Sequence, residues 1–372
     1  HWPIEVEGIA VDVFVATASP TGFDSIGPLG PALGGMRMRS YLSPDEALQD
    51  CLNLARGMRY KHLVAGTPYD GGKLVIIARQ QDFPRGSNRR QQLFQIVAEH
   101  VESLNGTYIT AEDLGTWVDD IVWVNRFTRH VCGVPVGGWD GDPSPYTESL
   151  CYKLLVMAAR RRLGSSTKVA DLRVAVEGLG KTGGRLAARL LRYGASVTVA
   201  DKHPPAIRRF LGKIPMEARG RIAFLNPDWD ERDDRPFEDD ELAGIAFVPA
   251  DVYAPCAAGG TLTDIVAENI PADVVCGPAN NQFANGSARA AQILFDRNKL
   301  VVPDIVANAG GIIAVHHGLV HGADFSRKVL REDIERAVTR GRQILNDANR
   351  RGLPPELYLH RELIPTLIAE RS

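Results

Sequence analysis

The chain has 372 residues, enough for about two domains that each bury a hydrophobic core. Its net charge is −2 and 24% of its residues are charged, which argues against a basic nucleic-acid-binding protein. No run of 18 apolar residues exists, and the five cysteines are scattered without C-x-x-C spacing, which argues against a membrane span, a disulfide framework and a zinc site. We therefore expect a cytoplasmic protein with no metal, no nucleic-acid partner and no membrane partner.

The first segment predicts strand structure followed by a glycine-rich turn. The chain begins His1-Trp2-Pro3 without an initiator Met or a signal-peptide pattern, so we expect the natural chain to start earlier. Residues 4–17 are rich in β-branched side chains and predict one strand. Residues 27–37 hold several glycines and prolines, and either a tight turn or a close approach of the backbone to a ligand is consistent with them.

A helix and two lysines come next. Ser43-Pro44-Asp45 is a helix start, and a helix is predicted over 47–60. Lys61 and Lys73 flank a glycine-rich stretch, and Lys73 precedes an apolar strand over 74–78. A lysine at the edge of a buried segment can lose its proton near neutral pH and act as a base, but a surface turn with two solvated lysines fits equally well.

An acidic cluster follows the next predicted strand. A helix over 91–104 is followed by a strand over 108–110 that ends at residues 111–115. Asp113 lies where strand ends commonly line a cleft, although it could also cap a helix over 117–127. Residues 133–145 are the best linker candidate, with a domain boundary near 137–146 and a helix over 147–162.

The second half contains a dinucleotide-binding pattern. The pattern begins with a strand over 172–176 and the run Gly178-Leu-Gly180-Lys-Thr-Gly183. It continues with a helix over 185–193 and a strand over 197–200, and that strand is followed by Asp201. Glycines allow the tight turn and the close approach of a pyrophosphate, which the helix N-terminus stabilises. Asp201 suits a ribose 2′-hydroxyl and would repel a 2′-phosphate, so it favours NAD, whereas Lys202 and the basic residues behind it could partly accommodate a phosphate.

The remaining chain predicts further strands and a helical tail. The acidic stretch 226–241 is interpreted as a solvated insertion rather than a metal site. Strands are predicted over 245–248, 251–256, 274–282 and 300–303, and the last of them leads into residues 306–315. Each strand ends in a Gly or Asn cluster, as at the ligand-binding edge of a parallel sheet. Helices are predicted over 327–350 and 357–370.

Nine motifs follow one another in order over about 27–320. They are Gly27-Pro-Leu-Gly-Pro-Ala-Leu-Gly-Gly-Met36, Arg56-Gly-Met-Arg-Tyr-Lys61, Gly71-Gly-Lys73, Thr110-Ala-Glu-Asp113, Pro143-Ser-Pro-Tyr-Thr147, Gly178-Leu-Gly180, Tyr253-Ala-Pro-Cys-Ala257, Ala279-Asn-Asn-Gln282 and Asn308-Ala-Gly-Gly311. In this order they resemble the glutamate/leucine/phenylalanine/valine dehydrogenases, most nearly the leucine and valine types. The resemblance implies an α/β fold of two domains, an N-terminal α/β catalytic domain and a doubly wound Rossmann domain, with a cleft between them. It also implies oxidative deamination of an L-amino acid to a 2-oxo acid and ammonia.

The same resemblance implies a domain plan. Residues 1–142 would form the substrate, catalytic and oligomerisation domain, and 143–325 the NAD-binding domain. Residues 326–372 would be C-terminal helices that pack back toward the N-terminal domain. A homo-oligomer, dimer or higher, is expected.

Residue roles also follow from the resemblance. Lys73 would activate the water that attacks the imino acid, Asp113 would move protons to and from the amine, and Lys61 would bind the α-carboxylate. Further substrate contacts are expected from Leu33, Gly34, Gly35, Met58, Ala111, Cys132, Asn281, Ile312 and Val315. Cofactor contacts are expected from Thr147, Gly178, Leu179, Gly180, Lys181, Thr182, Gly183, Asp201, Lys202, Ala257, Asn280 and Asn308.

Several residues depart from the family pattern and leave alternatives open. Leu33 stands where glutamate-specific members have a lysine, so we expect an apolar substrate, a branched or medium aliphatic L-amino acid. Asp70 stands where a glycine is usual; pointing inward it would oppose the role of Lys73 as a base, and we expect it to point outward. His62, the pair His316-His317 and Glu148 also depart. Two alternatives to this function stay open. One is a dehydrogenase or reductase that makes a non-proteinogenic amino acid, and the other is a catalytically silent NAD-binding regulator.

Overall fold

A computed structural model describes residues 1–18, 30–226, 235–236 and 238–371 of the chain. The chain divides into two compact units. Unit 1 comprises His1–Pro143, Ile312–Leu330 and Thr366–Ser372, and unit 2 comprises Ser144–Gly311 and Arg331–Pro365. Part of the glycine-rich segment (27–29) and most of the acidic stretch (227–234 and 237) lie outside the described residues, so those interpretations stay predictions.

The strands and helices are numbered in chain order. The strands are β1 (Trp2–Val6), β2 (Ile9–Thr17), β3 (Ala32–Arg39), β4 (Asp70–Ile77), β5 (Tyr108–Glu112), β6 (Arg173–Glu177), β7 (Ser196–Ala200), β8 (Ile222–Phe224), β9 (Val252–Pro255), β10 (Val274–Val275) and β11 (Leu300–Val301). The helices are α1 (Pro44–Ala65), α2 (Asn88–Ser103), α3 (Val118–Val124), α4 (Ser144–Leu163), α5 (Gly183–Arg192), α6 (Pro204–Leu211), α7 (Met216–Arg219), α8 (Asp239–Ala243), α9 (Asp264–Asn269), α10 (Ala288–Asp296), α11 (Asp304–Ala307), α12 (Gly310–His321), α13 (Arg327–Arg350), α14 (Pro355–Tyr358) and α15 (Ile364–Arg371).

Unit 1 contains a mixed five-stranded sheet in the order β1-β2-β4-β3-β5. The single strand expected over 4–17 is wrong, because Glu7 and Gly8 have φ values of 48° and 78° and turn the chain back into an antiparallel hairpin. Strand β4 runs antiparallel to β2 and parallel to β3, which in turn runs parallel to β5. The three strands β4, β3 and β5 therefore start side by side, with Asp70 and Tyr108 both paired to Ala32.

The two faces of this sheet carry different cores. Leu74 and Ile76 pack in the cluster that includes residues of α2 and α3, whereas Val75 packs with Cys51 and Ala55 of α1. This is the alternation that a strand buried on both faces imposes. By the same alternation Lys73 lies on the face toward α1.

Helix α1 is longer than the predicted 47–60. Ser43 caps it by accepting a hydrogen bond from the Glu46 N–H, and it ends at Gly66, which has the left-handed φ of 74°. The helix therefore continues through Lys61 instead of ending before it. The expected helix over 117–127 is the shorter α3, and Asp120, not Asp113, accepts the hydrogen bond from the Trp117 N–H at its start, 2.9 Å away.

Two glycine pairs expected in turns or loops lie inside strands. Gly34-Gly35 is in β3, and Gly71-Gly72-Lys73 is in β4. A Cβ atom at Gly71 would lie 2.0 Å from the Ala55 carbonyl oxygen of α1, and one at Gly72 would lie 2.7 Å from the Tyr108 ring. These glycines are required because helix and neighbouring strand approach the β4 backbone directly.

Unit 2 contains six parallel strands in the order β11-β10-β9-β6-β7-β8. This is a doubly wound sheet with the strand, glycine-loop, helix and strand order that the sequence predicted. The fold class is thus confirmed as a two-unit α/β protein.

One predicted strand of the second half is wrong, because residues 245–248 lie largely in a 3₁₀ turn (Gly244–Phe247). Short apolar runs fit a buried helix as well as a buried strand, which is why this prediction failed. Residues 306–315, which follow β11, belong to α11 and α12. The helix expected over 357–370 is present as α14, a π-helical turn and α15. Over the described residues, no helix is long and apolar enough to cross a membrane.

Candidate active site

A lysine, an aspartate and an arginine meet on the α1-facing side of the unit 1 sheet. The Lys73 Nζ atom lies 2.8 Å from Asp113 Oδ2, and the Arg37 Nε atom lies 2.9 Å from the same oxygen. The residue Lys73 is only 3% exposed. Two basic side chains therefore share one carboxylate oxygen, and the lysine side of this contact is buried.

The strands bring these side chains together. Gly35 is paired with Ala111 across β3 and β5, and a Cβ atom on Gly35 would lie 2.7 Å from the Asp113 Cβ atom. The Asp113 N–H donates to the Thr116 hydroxyl oxygen, which is itself 2.9 Å from the Met36 carbonyl oxygen. The absence of a side chain at Gly35 thus allows Asp113 to lie against the sheet near Lys73.

Arg37 is held in turn by Asp50. The Arg37 Nη1 atom donates to Asp50 Oδ2 at 3.1 Å, and the Tyr41 hydroxyl donates to the same oxygen at 2.6 Å. Sequence reasoning missed Arg37, Asp50 and Tyr41. Strand alternation places Arg37 on the same face as Gly35, but this signal becomes usable only once Gly34-Gly35 is known to lie in a strand.

The electrostatics favour an ionised Asp113. Burial alone would raise the pKa of Asp113, but the charges of Lys73 and Arg37 and their hydrogen bonds hold that pKa well below its usual range. Burial likewise raises the pKa of the nearby Cys132 thiol to about 12, so this thiol stays neutral.

The expected substrate residues of the first half are grouped in unit 1. Leu33 pairs with both Gly71 and Ile109, and a Cβ atom at Gly34 would lie 3.4 Å from the Met58 side chain. The Cys132 N–H donates to the Thr110 carbonyl next to Ala111, and Lys61 lies in α1. Ile312 and Val315, from the second half, also belong to unit 1, whereas Asn281 belongs to unit 2.

Asp70 does not point outward as expected. It is 1% exposed, its Oδ1 atom accepts a hydrogen bond from the Gly71 N–H at 2.7 Å, and Arg59 Nε of α1 lies 3.6 Å from the same oxygen. The prediction treated residue 70 as part of a loop, whereas it is the first residue of β4. Its charge is compensated by Arg59, so burial does not require it to face Lys73.

The glycine loop of unit 2 has the shape of a phosphate cradle. Gly178 has a φ of 91°, and a Cβ atom on it would lie 2.8 Å from the Ala257 Cβ atom. A Cβ atom on Gly183 would lie 2.0 Å from the Gly178 carbonyl oxygen, but one on Gly180 would meet no atom within 4 Å. The outer two glycines serve close packing, and the backbone at Gly180 is open to a pyrophosphate at the start of α5.

Asp201 lies directly beside this loop. Its Oδ2 atom accepts a hydrogen bond from the Leu179 N–H at 2.7 Å, and its Oδ1 atom accepts one from the His203 N–H at 2.8 Å. Each carboxylate oxygen can accept more than one hydrogen bond, so the side chain can still receive a ribose hydroxyl. Lys181 and Thr182 lie between β6 and α5, and Lys202 follows Asp201.

The other expected cofactor residues lie in the same unit. The Asn308 side-chain amide donates to the Asn280 side-chain oxygen at 3.0 Å. A Cβ atom on Gly310 would lie 3.0 Å from the Thr147 Cα atom. Glu148, which departs from the family pattern, is buried and lies 3.0 Å from Arg189 Nε on α5.

Glu177 is a buried acid that sequence reasoning passed over. It ends β6 immediately before Gly178, is 4% exposed, and accepts a hydrogen bond from the Tyr253 hydroxyl. Burial raises the pKa of Glu177 to about 7, although the bond from Tyr253 opposes this shift. The sequence could have indicated Glu177, because it is an acid at the last position of an apolar strand.

Unit 2 therefore has the architecture of a dinucleotide-binding domain, and unit 1 carries a lysine–carboxylate pair. Comparison with known proteins identifies the family to which these two units belong. Residues 25–130 match the Glu/Leu/Phe/Val dehydrogenase dimerisation domain, and 137–339 match the glutamate/leucine/phenylalanine/valine dehydrogenase domain. The chain belongs to this family, and it is an amino acid dehydrogenase that uses a nicotinamide cofactor.

Individual relatives agree with this assignment. Leucine dehydrogenase of Thermoactinomyces intermedius is 34% identical over 334 residues, 90% of this chain and 82% of the relative. Valine dehydrogenase of Streptomyces coelicolor is 39% identical over 300 residues, 80% of this chain and 75% of the relative. The crystal structure of L-tryptophan dehydrogenase from Nostoc punctiforme superimposes with a TM-score of 0.72 at 26% identity, over 97% of this chain and 93% of that one.

Proposed function

We propose that the enzyme catalyses the reversible NAD-dependent oxidative deamination of an L-amino acid with a largely apolar side chain, giving a 2-oxo acid and ammonia. The observation that carries this proposal is the 2.8 Å contact between Lys73 Nζ and Asp113 Oδ2 on a buried face of the sheet. Leu33, Ala111 and Cys132 on the same unit are buried and provide apolar walls. Curated relatives named leucine, valine and phenylalanine dehydrogenases support the same substrate class.

Each polar residue has a task in this reaction. A bound nicotinamide cofactor supplies the acceptor for the hydride on the substrate Cα atom. Lys61 binds the α-carboxylate as a point charge. Lys73, as the free amine, takes a proton from the water that attacks the imino carbon, and Asp113 exchanges protons with the departing amino group. Arg37 keeps Asp113 ionised and in place.

Asp201 supports NAD over NADP. Its carboxylate is beside the loop that would hold the pyrophosphate, where it can accept a ribose 2′-hydroxyl and repel a 2′-phosphate. Lys202 is the nearest residue that could favour NADP instead. We also propose a homo-oligomer formed through residues 1–142, a C-terminal segment 326–372 that packs toward that domain, and a cytoplasmic location.

Substitution of Lys73 tests the chemistry. Lys73→Ala should lower kcat with L-leucine or L-valine by roughly two to four orders of magnitude, because it removes the general base, while the Kd for NADH stays nearly unchanged. NADH formation would be followed at alkaline pH, and NADH affinity by fluorescence.

Lys153→Ala is the matched control, since Lys153 pairs with Glu335 on the surface of unit 2. Retained turnover in Lys73→Ala would overturn the mechanism. Cofactor binding without turnover of any amino acid by the wild type would favour a silent regulator.

A further inference from the structure

A row of polar rings crosses unit 1 close to the proposed substrate site. The His62 Nδ1 atom lies 2.7 Å from the Thr67 hydroxyl, and the His62 ring packs edge-on against Tyr69 with ring centroids 5.5 Å apart. The Tyr69 hydroxyl lies 3.1 Å from His316 Nδ1. Tyr69 is 5% exposed. The mechanism above uses none of these rings.

The row is anchored on the strands that carry the active site. His62 Nε2 lies 3.2 Å from the carbonyl oxygen of Leu33, the residue expected to face the substrate side chain. Tyr69 immediately precedes β4, the strand that carries Lys73.

Helix α12 places His316 beside the remaining wall residues. His316 is four residues after Ile312 and follows Val315 directly, so Ile312 and His316 share one helix face. The hydrogen bond between Tyr69 and His316 thus connects the residue before β4 to the helix that holds Ile312 and Val315. A pocket built from these residues would be apolar along its length and polar at its far end.

We propose that Tyr69 and His316 form the polar end of the side-chain pocket, and that the enzyme prefers an L-amino acid whose side chain ends in a hydroxyl, amide or ring N–H group. This inference rests on the proposed function, which it refines. Tyr69 and His316 are specificity residues, because they touch the substrate side chain and not the reacting atoms.

The chemistry of the pair suits such an end group. Burial, with His317 and His321 close by, lowers the pKa of His316, so its ring is neutral at pH 7. If Tyr69 donates its proton to His316, its oxygen accepts one from the substrate; if His316 donates, Tyr69 can donate to the substrate. Either arrangement leaves the hydroxyl a bond to make, and an apolar end group would leave it unsatisfied.

An isosteric substrate pair tests the proposal. L-norleucine and L-2-amino-5-hydroxypentanoate have side chains of equal length that differ only in a terminal methyl or hydroxyl group. The ratio of kcat/KM for the hydroxylated substrate over norleucine would be measured in the wild type and in Tyr69→Phe. We expect the wild type to prefer the hydroxylated substrate, and Tyr69→Phe to lower the ratio about tenfold, the loss of one hydrogen bond.

Two controls separate the outcomes. Tyr193→Phe makes the same chemical change at a tyrosine that is 56% exposed in unit 2, and it should leave the ratio unchanged. His316→Leu should lower the ratio in the same direction as Tyr69→Phe, and NADH binding checks that each variant is folded. An unchanged ratio in folded Tyr69→Phe, with normal turnover, would overturn this inference while leaving the proposed function intact. A wild type that oxidises no amino acid would instead overturn the proposed function.

Discussion

One oxygen of Asp113 contacts two basic side chains, Lys73 and Arg37, and the pKa of Asp113 depends on both. Because Lys73 and Arg37 each lie within 3 Å of Oδ2, loss of Arg37 removes one of the charges that lower the pKa of Asp113. Arg37→Gln should therefore raise that pKa and move the acidic limb of the kcat/KM profile to higher pH. We also expect kcat to fall roughly ten- to hundredfold through misplacement of Asp113.

The pH profile distinguishes this role from a structural one. Arg39→Gln, an exposed arginine two residues further along β3, is the control and should leave the acidic limb in place. An Arg37→Gln variant with lowered activity but an unshifted limb would contradict the proposed electrostatic role.

Glu177 predicts a pH dependence of stability. Its pKa is raised to about 7 in the folded protein, from 4.5. The folded state thus binds the extra proton between these values, and the free energy of unfolding falls as pH rises from about 4.5 to about 7, by up to roughly 3 kcal/mol. Glu177→Gln should abolish this loss, so that the Tm difference between variant and wild type grows from pH 5 to pH 7.5.

Thermal unfolding followed by circular dichroism checks this prediction. Glu238→Gln, whose carboxyl group is exposed in unit 2, is the control. A constant Tm difference across the range would show that Glu177 does not titrate there.

At the scale of elements, the glycines of the nucleotide loop have separate tasks. Gly183→Ala brings a methyl group onto the Gly178 carbonyl oxygen, and it should lower the free energy of unfolding by about 1–3 kcal/mol. Gly180→Ala meets no protein atom, so its Tm should stay near that of the wild type. Its methyl group would occupy the pyrophosphate approach, however, and the Kd for NADH should rise at least tenfold.

Calorimetry and NADH titration on the two variants compare these effects. Equal losses of stability in both variants would contradict the division of tasks.

The elements also show how far sequence reasoning reaches. The nucleotide-binding unit was predictable because its glycines, strands and acid are all local in sequence. The strand position of Gly71-Gly72-Lys73 was not, since glycines normally indicate a turn and only the Ala55 carbonyl and the Tyr108 ring explain them. Asp70 was misplaced for the same reason, and Arg37 was missed because its partners are 13 and 76 residues away.

At the scale of the whole molecule, the chain passes repeatedly between its units. Unit 1 is made of three segments, His1–Pro143, Ile312–Leu330 and Thr366–Ser372, so α13 starts in one unit and continues in the other. Composition and length predicted two domains, but segments this distant in sequence carry no local signal of belonging together.

Cofactor preference can be measured through the stability of the whole protein. A ligand that binds only the folded state at 100 times its Kd adds about 2.7 kcal/mol to the free energy of unfolding. At equal concentration NADH should therefore raise the Tm more than NADPH, and Asp201→Ala should reduce this difference. Glu217→Ala, an exposed acid on α7, is the control. An unchanged difference in Asp201→Ala would remove the argument for NAD.

Side chains alternate between the two faces of the sheet along β4, so the number of residues before Lys73 decides which face its amine occupies. Lys73 and Val75 face α1, whereas Leu74 and Ile76 face the core beneath α2 and α3. Deletion of one residue between Asp70 and Lys73 would shift the register of the strand by one residue. The side chains of the segment would then change faces, and the amine would enter the apolar core. We therefore expect this segment to accept changes of length only in steps of two residues.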